Sequence, residues 1–151
     1  MIYAGIGNRS ISYEVSSWLE KLATYLSHLG YNLRSGNAKG TDTAFQNGSN
    51  GKYVAFVARD ATPDAIELAS KFHPAWYMCN DYAKQLHGRN SMIILGKELN
   101  DPVKFVVCYA IDEESGGTAL GIKIARANNI PVFNMFKEGS YQQLLEFIGS
   151  V

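Results

Sequence analysis

The stretch LRSGNAKGTDTAFQNGS, Leu33 to Ser49, decides how the chain is read. An apolar run from Gly30 to Leu33 enters it. There follow a glycine, a short polar loop, a second glycine, then Thr41 and Asp42 at the start of a helix-like segment. A strand that leaves through so small and polar a turn has two readings. The turn is punctuation, or it brings backbone N–H groups to an anion, because the first N–H groups of a helix have no partner within it.

Working outward, apolar runs of strand length recur at Ile2–Gly5, Tyr31–Arg34, Tyr53–Val57, Lys104–Ala110 and Pro131–Asn134. Helical segments separate them. Ser12–Leu29 carries Val15, Leu19, Leu22 and Leu26 on one stripe and stops at Gly30. Thr41–Asn47 is short. Pro63–Lys71 has Thr62 as its cap and proline in its first turn. Trp76–Leu95 reads as a helix in two pieces, Thr118–Asn128 follows Gly116–Gly117, and Tyr141–Ile148 closes the chain. Strands alternating with helices predict crossover units. The expected fold is α/β: a Rossmann-like three-layer sandwich, with a mostly parallel sheet of five or more strands and helices on both faces. NGSNGK, Asn47–Lys52, is a turn-rich connection and not a boundary, so residues 1–151 are read as one domain.

Composition excludes several classes. Hydrophobic residues make up 46% and charged residues 19%, which suits a packed core and not a disordered chain. Lysine plus arginine equals aspartate plus glutamate at 14 each, which argues against a general polyanion binder. No apolar run is long enough to span a bilayer, and MIYAGIG reads as a strand, so neither a membrane nor a leader is expected. Cys79 and Cys108 form no metal spacing, and Cys108 sits in an apolar run as a buried thiol, which suits a reducing, cytoplasmic setting. His73 precedes Pro74 in a loop and His28 ends a helix. Neither has metal-ligand company in sequence, so no metal and no cofactor is expected.

Parallel sheets bind ligands at the carboxyl ends of their strands, near the point where strand order reverses. Three glycine-bearing loops fall there: GIGNRS after the first strand, SGNAKGTD after the second and AIDEESGGT after the fourth. From them Gly5, Gly7, Asn8, Arg9, Ser35, Gly36, Gly40, Thr41, Asp42, Ser115, Gly116, Gly117 and Thr118 are expected to line a phosphate-bearing ligand. Thr41 is the better phosphate donor, while Asp42 repels phosphate and braces the turn. Glycines after strands also serve simply to turn the chain, and neither the dinucleotide fingerprint nor a Walker loop is present. Arg89 and Asn90, in LHGRNSMIILG, add a guanidinium fork and an amide at the rim. HPAWYMCNDYAKQLHGR, His73–Arg89, interleaves rings with basic residues, as single-strand binders do, although Trp76 and Tyr77 are expected to pack on the sheet.

The order of these motifs resembles the SLOG superfamily of Rossmann-like nucleotide-binding proteins, and most of all its DNA-processing group, the DprA/Smf proteins. That group's first strand ends in Gly-Ser-Arg, and here GIGNRS has Asn8-Arg9. Its Ser-Gly-Gly-Ala-x-Gly-x-Asp is similar to SGNAKGTD. Its Arg-Asn segment opening a helix is similar to GRNSMIILG, and its Ser-Gly-x-x-Thr-Ala turn to ESGGTALGIKIA, followed by a strand like IPVFNM. The resemblance covers nearly the whole chain and is closest to small stand-alone members frequent in phage genomes.

It implies binding of a nucleotide or nucleotide-derived signal, for sensing or sequestration, including anti-defence roles in phage–host conflict. It also implies a homo-oligomer. The alternative it implies is a single-stranded-DNA-binding DNA-processing protein. The related cytokinin-activating phosphoribohydrolases offer a third reading, with His-x-Arg similar to His87-Gly88-Arg89. Their catalytic glutamate follows the Gly-Gly-x-Gly-Thr turn, whereas Ala119, Leu120 and Gly121 stand here. Without that carboxylate no catalytic residue is assigned and a non-catalytic binding protein is favoured. Asp112, Glu113 and Glu114 in the preceding loop could substitute, although such a run more often forms a solvated loop or caps the next helix.

Overall fold

A computed structural model describes residues 1–149 of the chain. The strands are β1 (Ile2–Gly7), β2 (Asn32–Ser35), β3 (Tyr53–Ala55), β4 (Val106–Tyr109) and β5 (Val132–Asn134). The helices are α1 (Tyr13–His28), α2 (Thr41–Gly48), α3 (Pro63–Ser70), α4 (Asp81–Leu95), α5 (Gly116–Ala127) and α6 (Ser140–Gly149). All neighbouring strands run parallel in the order β3-β2-β1-β4-β5, so this is the Rossmann-like α/β sandwich expected from the alternation.

Alternation along the strands builds two cores. In β1, Tyr3 faces one side and Ala4 and Ile6 the other. In β4, Val107 opposes Val106 and Cys108. Tyr3, Leu33, Phe105, Val107 and Phe133 meet α1, α2 and α6. Ala4, Ile6, Val106 and Cys108 meet α3, α4 and α5. The helices end where their side chains say they should. The hydroxyl of Ser12 accepts from Val15 N–H at 3.2 Å, that of Thr62 from Ala65 N–H at 3.1 Å, and Asn80 Oδ1 from Ala83 N–H at 2.8 Å. The segment expected as Trp76–Leu95 does come in two pieces, a 3-10 turn at Trp76–Met78 and then α4.

Sequence and structure part company at two places here. Trp76 packs against the core as expected, but Tyr77 is 85% exposed. The tight 3-10 turn sends successive side chains in different directions, so two adjacent rings cannot share one face. The Arg-Asn pair does not open a helix either: Arg89 and Asn90 lie in the interior of α4.

Strand order fixes where the site is. From β1 the chain moves outward to β2 and β3, then crosses back to β4 on the other side of β1. The carboxyl ends of β1 and β4 therefore sit at the topological switch point, where the connecting loops diverge and leave a crevice.

Candidate functional site

A cleft of about 200 Å³ opens at that point. The end of β1 supplies Ile6, Gly7, Asn8 and Arg9, and the loop into α2 supplies Ala38 and Asp42. The face of α4 supplies Arg89, Asn90, Ile93 and Ile94, and the loop into α5 supplies Asp112, Ser115, Gly116, Gly117, Thr118 and Gly121.

Asn8 ties the three loops together. Its N–H donates to the Tyr109 carbonyl at 2.9 Å, and its Oδ1 accepts from Ile111 N–H at 3.1 Å, both across to the β4 side. Its carbonyl accepts from Thr41 N–H at 3.1 Å and from Thr41 Oγ1 at 2.8 Å, across to the β2 side. That seam requires a glycine at position 40, where φ is +75° and an added Cβ would lie 2.3 Å from the Arg9 carbonyl oxygen.

Beneath the cleft lies a buried pair of opposite charges. Arg89 is only 7% exposed, so the expectation of a rim residue is corrected: it is part of the floor. Its guanidinium donates to the carbonyls of Gly36 and, at 3.1 Å, Phe56, while Nε donates to Asn90 Oδ1 at 3.0 Å. Asp42, also buried, accepts from Ala38 N–H at 3.1 Å and so braces the turn as expected. Arg89 and Asp42 flank Gly36, where a Cβ would lie 3.0 Å from an atom of each. Burial pushes the Asp42 carboxyl up to about 6, against the pull of the Ala38 N–H, Arg89, the Gly36 N–H and Arg9.

That shift has a measurable sign. The ordinary aspartate value, which the unfolded chain shows, is near 3.9. A raised folded value means Asp42 favours the folded state most below about pH 4 and loses that advantage as pH rises through about 6. Two units correspond to roughly 3 kcal/mol. Asp42→Asn should therefore gain on the parent chain by roughly 2–3 kcal/mol between pH 4 and pH 7 in urea unfolding. A stability difference that stays constant over that range would contradict the assignment.

The upper part of the cleft is formed by the start of α5 and the loop that leads into it. α5 begins at Gly116, and its cap residue Ser115 makes no side-chain bond to the helix N–H groups. The Ser115 hydroxyl donates instead to Asp112 Oδ2, and Asp112 Oδ1 accepts from Glu114 N–H at 2.7 Å. The hydrogen bond from Ser115 is the main cause that holds the Asp112 carboxyl below its ordinary value. Gly117 keeps the helix start open, since a Cβ there would meet the Asn90 amide at 2.8 Å. Arg9 is exposed, lines the cleft and makes no hydrogen bond or ion pair among the described residues.

Five of the residues expected at the ligand lie elsewhere. Gly5 faces the opposite core, where a Cβ would strike Phe45. Ser35 is fully buried and its hydroxyl accepts from Gln46 Nε2 at 2.8 Å. Gly36 packs between Arg89 and Asp42, Gly40 closes on the Arg9 carbonyl, and Thr41, 0% exposed, spends its hydroxyl on Asn8. Thr41 thus holds the seam between two loops. The remaining ten, Gly7, Asn8, Arg9, Asp42, Arg89, Asn90, Ser115, Gly116, Gly117 and Thr118, all come together in the cleft. Sequence reasoning missed its apolar floor, Ile93 and Ile94. Their helical register with Asn90 was the available signal.

The acidic loop divides its work. Burial alone would raise Glu113, but hydrogen bonds from Asn134, Lys137 and Arg126 outweigh it and hold the carboxyl low. Its oxygens lie 2.8 Å from Asn134 Nδ2, 3.1 Å from Arg126 and 3.1 Å from Lys137, so Glu113 serves as a structural anchor. Ala119, which follows the Gly-Gly-Thr turn, is buried. One further expectation is corrected. His73 does have metal-ligand company, because the loop ahead of α4 brings it to Cys79 and His87. Burial first, then His73 and Arg89, push His87 down to about 4, so its ring is neutral at pH 7.

No helix among the described residues is long and apolar enough to cross a membrane. No family model matches the chain, and no curated protein matches it by sequence. Solved structures do. DNA processing protein A from Helicobacter pylori, studied for its single-stranded DNA binding mode, superimposes with a TM-score of 0.61 at 17% identity. The match covers 97% of this chain and 72% of that one. DNA processing protein A from Streptococcus pneumoniae gives a TM-score of 0.60 at 20% identity, over 96% of this chain and 56% of that one. At these identities the likeness is one of fold.

Proposed function

We propose that the chain binds single-stranded DNA, seating a backbone phosphate between Arg9 and the amino terminus of α5. The observation that carries this reading is their placement in one cleft: an exposed guanidinium without a hydrogen-bond partner, opposite helix N–H groups that no side chain caps. The DprA fold supports it, since one protein of that fold has a described single-stranded DNA binding mode. One exposed ring lies near the cleft floor. Tyr82 is 63% exposed and near enough to Arg89 for the two groups to interact electrostatically. Such rings stack on bases without regard to sequence. On this reading the chain is a relative of the DprA group within the SLOG superfamily, and it self-associates.

A second reading keeps the same cleft for a free nucleotide or nucleotide-derived signal. The cleft, about 200 Å³, has room for a phosphate-bearing moiety of such a molecule.

Fluorescence anisotropy with a labelled oligothymidylate at two salt concentrations tests the first reading. Arg9→Ala is expected to weaken binding by about tenfold or more and to reduce the salt slope by about 0.7. Gly117→Asp, which sets a carboxylate at the helix start, is expected to abolish binding, and both variants should keep the parent circular-dichroism spectrum. Unchanged affinity in both would remove the cleft from consideration. No oligonucleotide binding, with a nucleotide retained in native mass spectrometry, would favour the second reading. The same spectrum gives the subunit count.

A further inference from the structure

We propose that His73, Cys79 and His87 form a site for a zinc-like divalent transition metal, which pins the loop before α4 onto that helix. The loop runs from the end of α3 through Pro74 and the 3-10 turn at Trp76–Met78 to the cap residue Asn80. It doubles back so that its two ends, His73 and Cys79, both reach His87 on α4. One ligand atom from each lies within 4.8 Å of the other two, and none of the three residues is exposed.

The geometry is close to that of a bound site. Cys79 Sγ lies 3.7 Å from His73 Nε2. Zinc–sulfur and zinc–nitrogen bonds of ~2.3 and ~2.05 Å at a tetrahedral angle put those two atoms about 3.6 Å apart. The third ligand needs to close by about 1 Å, which a side-chain rotation supplies. His87 Nδ1 is buried and has no hydrogen-bond partner among the described residues, an expense that folded proteins seldom leave unexplained. The ring of His73 meets that of His87 with centroids 4.6 Å apart, and Trp76 flanks both at 5.8 and 6.0 Å, which packs the two imidazoles together.

The donor set chooses the metal class. One thiolate and two imidazoles suit zinc and cobalt, while calcium and magnesium require oxygen ligands. Three protein ligands leave a fourth position. A water would complete a tetrahedral set there. On binding, the Cys79 S–H bond breaks, its proton passes to water and the thiolate ligates the metal. Ligation through His73 Nε2 places the ring proton on Nδ1. The bond that Ala75 N–H now donates to Nδ1 at 3.0 Å therefore opens. His87 lies two residues before Arg89 on α4, so the clamp steadies the helix that carries the cleft floor.

The test uses the untagged chain, stripped with chelator and titrated with cobalt(II) and then zinc(II). The parent chain is expected to develop a thiolate-to-cobalt charge-transfer band that saturates at one equivalent and is displaced by zinc. Cys79→Ser should lose the band and Cys108→Ala should keep it. His73→Gln and His87→Gln should each weaken zinc by at least about tenfold. Zinc should raise the melting temperature of the parent and not of Cys79→Ser, and it should shift the Ala75 amide signal. No band in the parent, a band that survives Cys79→Ser, or parental zinc affinity in both histidine variants would each overturn the site.

Discussion

Arg89→Ala is expected to lower the unfolding free energy by about 3–5 kcal/mol in urea denaturation, the largest loss from any one side chain at the site. Arg89 is buried and supplies the donors for the Gly36 and Phe56 carbonyls. Removing it leaves those acceptors in a low-dielectric interior, together with Asp42, whose main neighbouring positive charge is then gone. The Asp42 carboxyl should titrate higher still in the variant. A cycle with Asp42→Asn separates this account from simple loss of packing. If the two residues compensate each other across Gly36, the double variant will be more stable than the sum of the single losses predicts. Strict additivity would mean that Arg89 acts independently of Asp42, through its bonds to the two carbonyls and its packing.

Gly40→Ala should be nearly as damaging, at roughly 3–5 kcal/mol, and should also abolish oligonucleotide binding in whatever folded population remains. Two costs combine. The backbone sits at φ +75°, which an alanine adopts only with strain, and the new Cβ would meet the carbonyls of Arg9 and Asn8 at 2.3 and 2.7 Å. The contact is backbone against backbone, so no rotamer relieves it, and the loop bearing Arg9 must lift off α2. Gly30→Ala supplies the control. It has φ +91° but nothing within 4 Å of the new atom, so only the strain of about 1–2 kcal/mol applies. Equal losses in the two variants would show that conformation matters at Gly40 and the approach of the β1 loop does not.

Which parts of this arrangement were legible in the sequence follows from the range of the interactions involved. Strand alternation and helix caps are local, and they placed all five strands and the start of α3 at Pro63 to within a residue or two. The positions of Ser35 and Thr41 were legible, and the direction of their hydroxyls was not. A hydroxyl after a strand reads the same whether it faces a phosphate, the amide of Gln46 or the carbonyl of Asn8. Gly5 was misplaced for an avoidable reason: it shares its face with Tyr3, so the period of two already turned it from Ile6 and the cleft. Arg89 was placed at the rim because a charge within a helix usually reaches the surface, and only Gly36 and Phe56, far away in sequence, give it a buried role. The His73, Cys79 and His87 cluster depends on a loop reversing direction, and residue spacing contains no record of that.

The central position of β1 also governs the order in which the molecule can assemble. Ala4 pairs with Arg34 on one side, a short excursion of the chain, and with Val106 on the other, a very long one. Closing the longer loop costs more entropy, so the β1–β2–β3 half is expected to form first and β4 to dock late. Every part of the cleft that joins the two halves, Asn8 to Tyr109 and Asn90 to Gly117 included, comes into being at that last step. A nascent chain therefore acquires secondary structure well before it acquires a binding site. A ligand that requires the complete cleft will slow unfolding and leave the rate of folding almost unchanged.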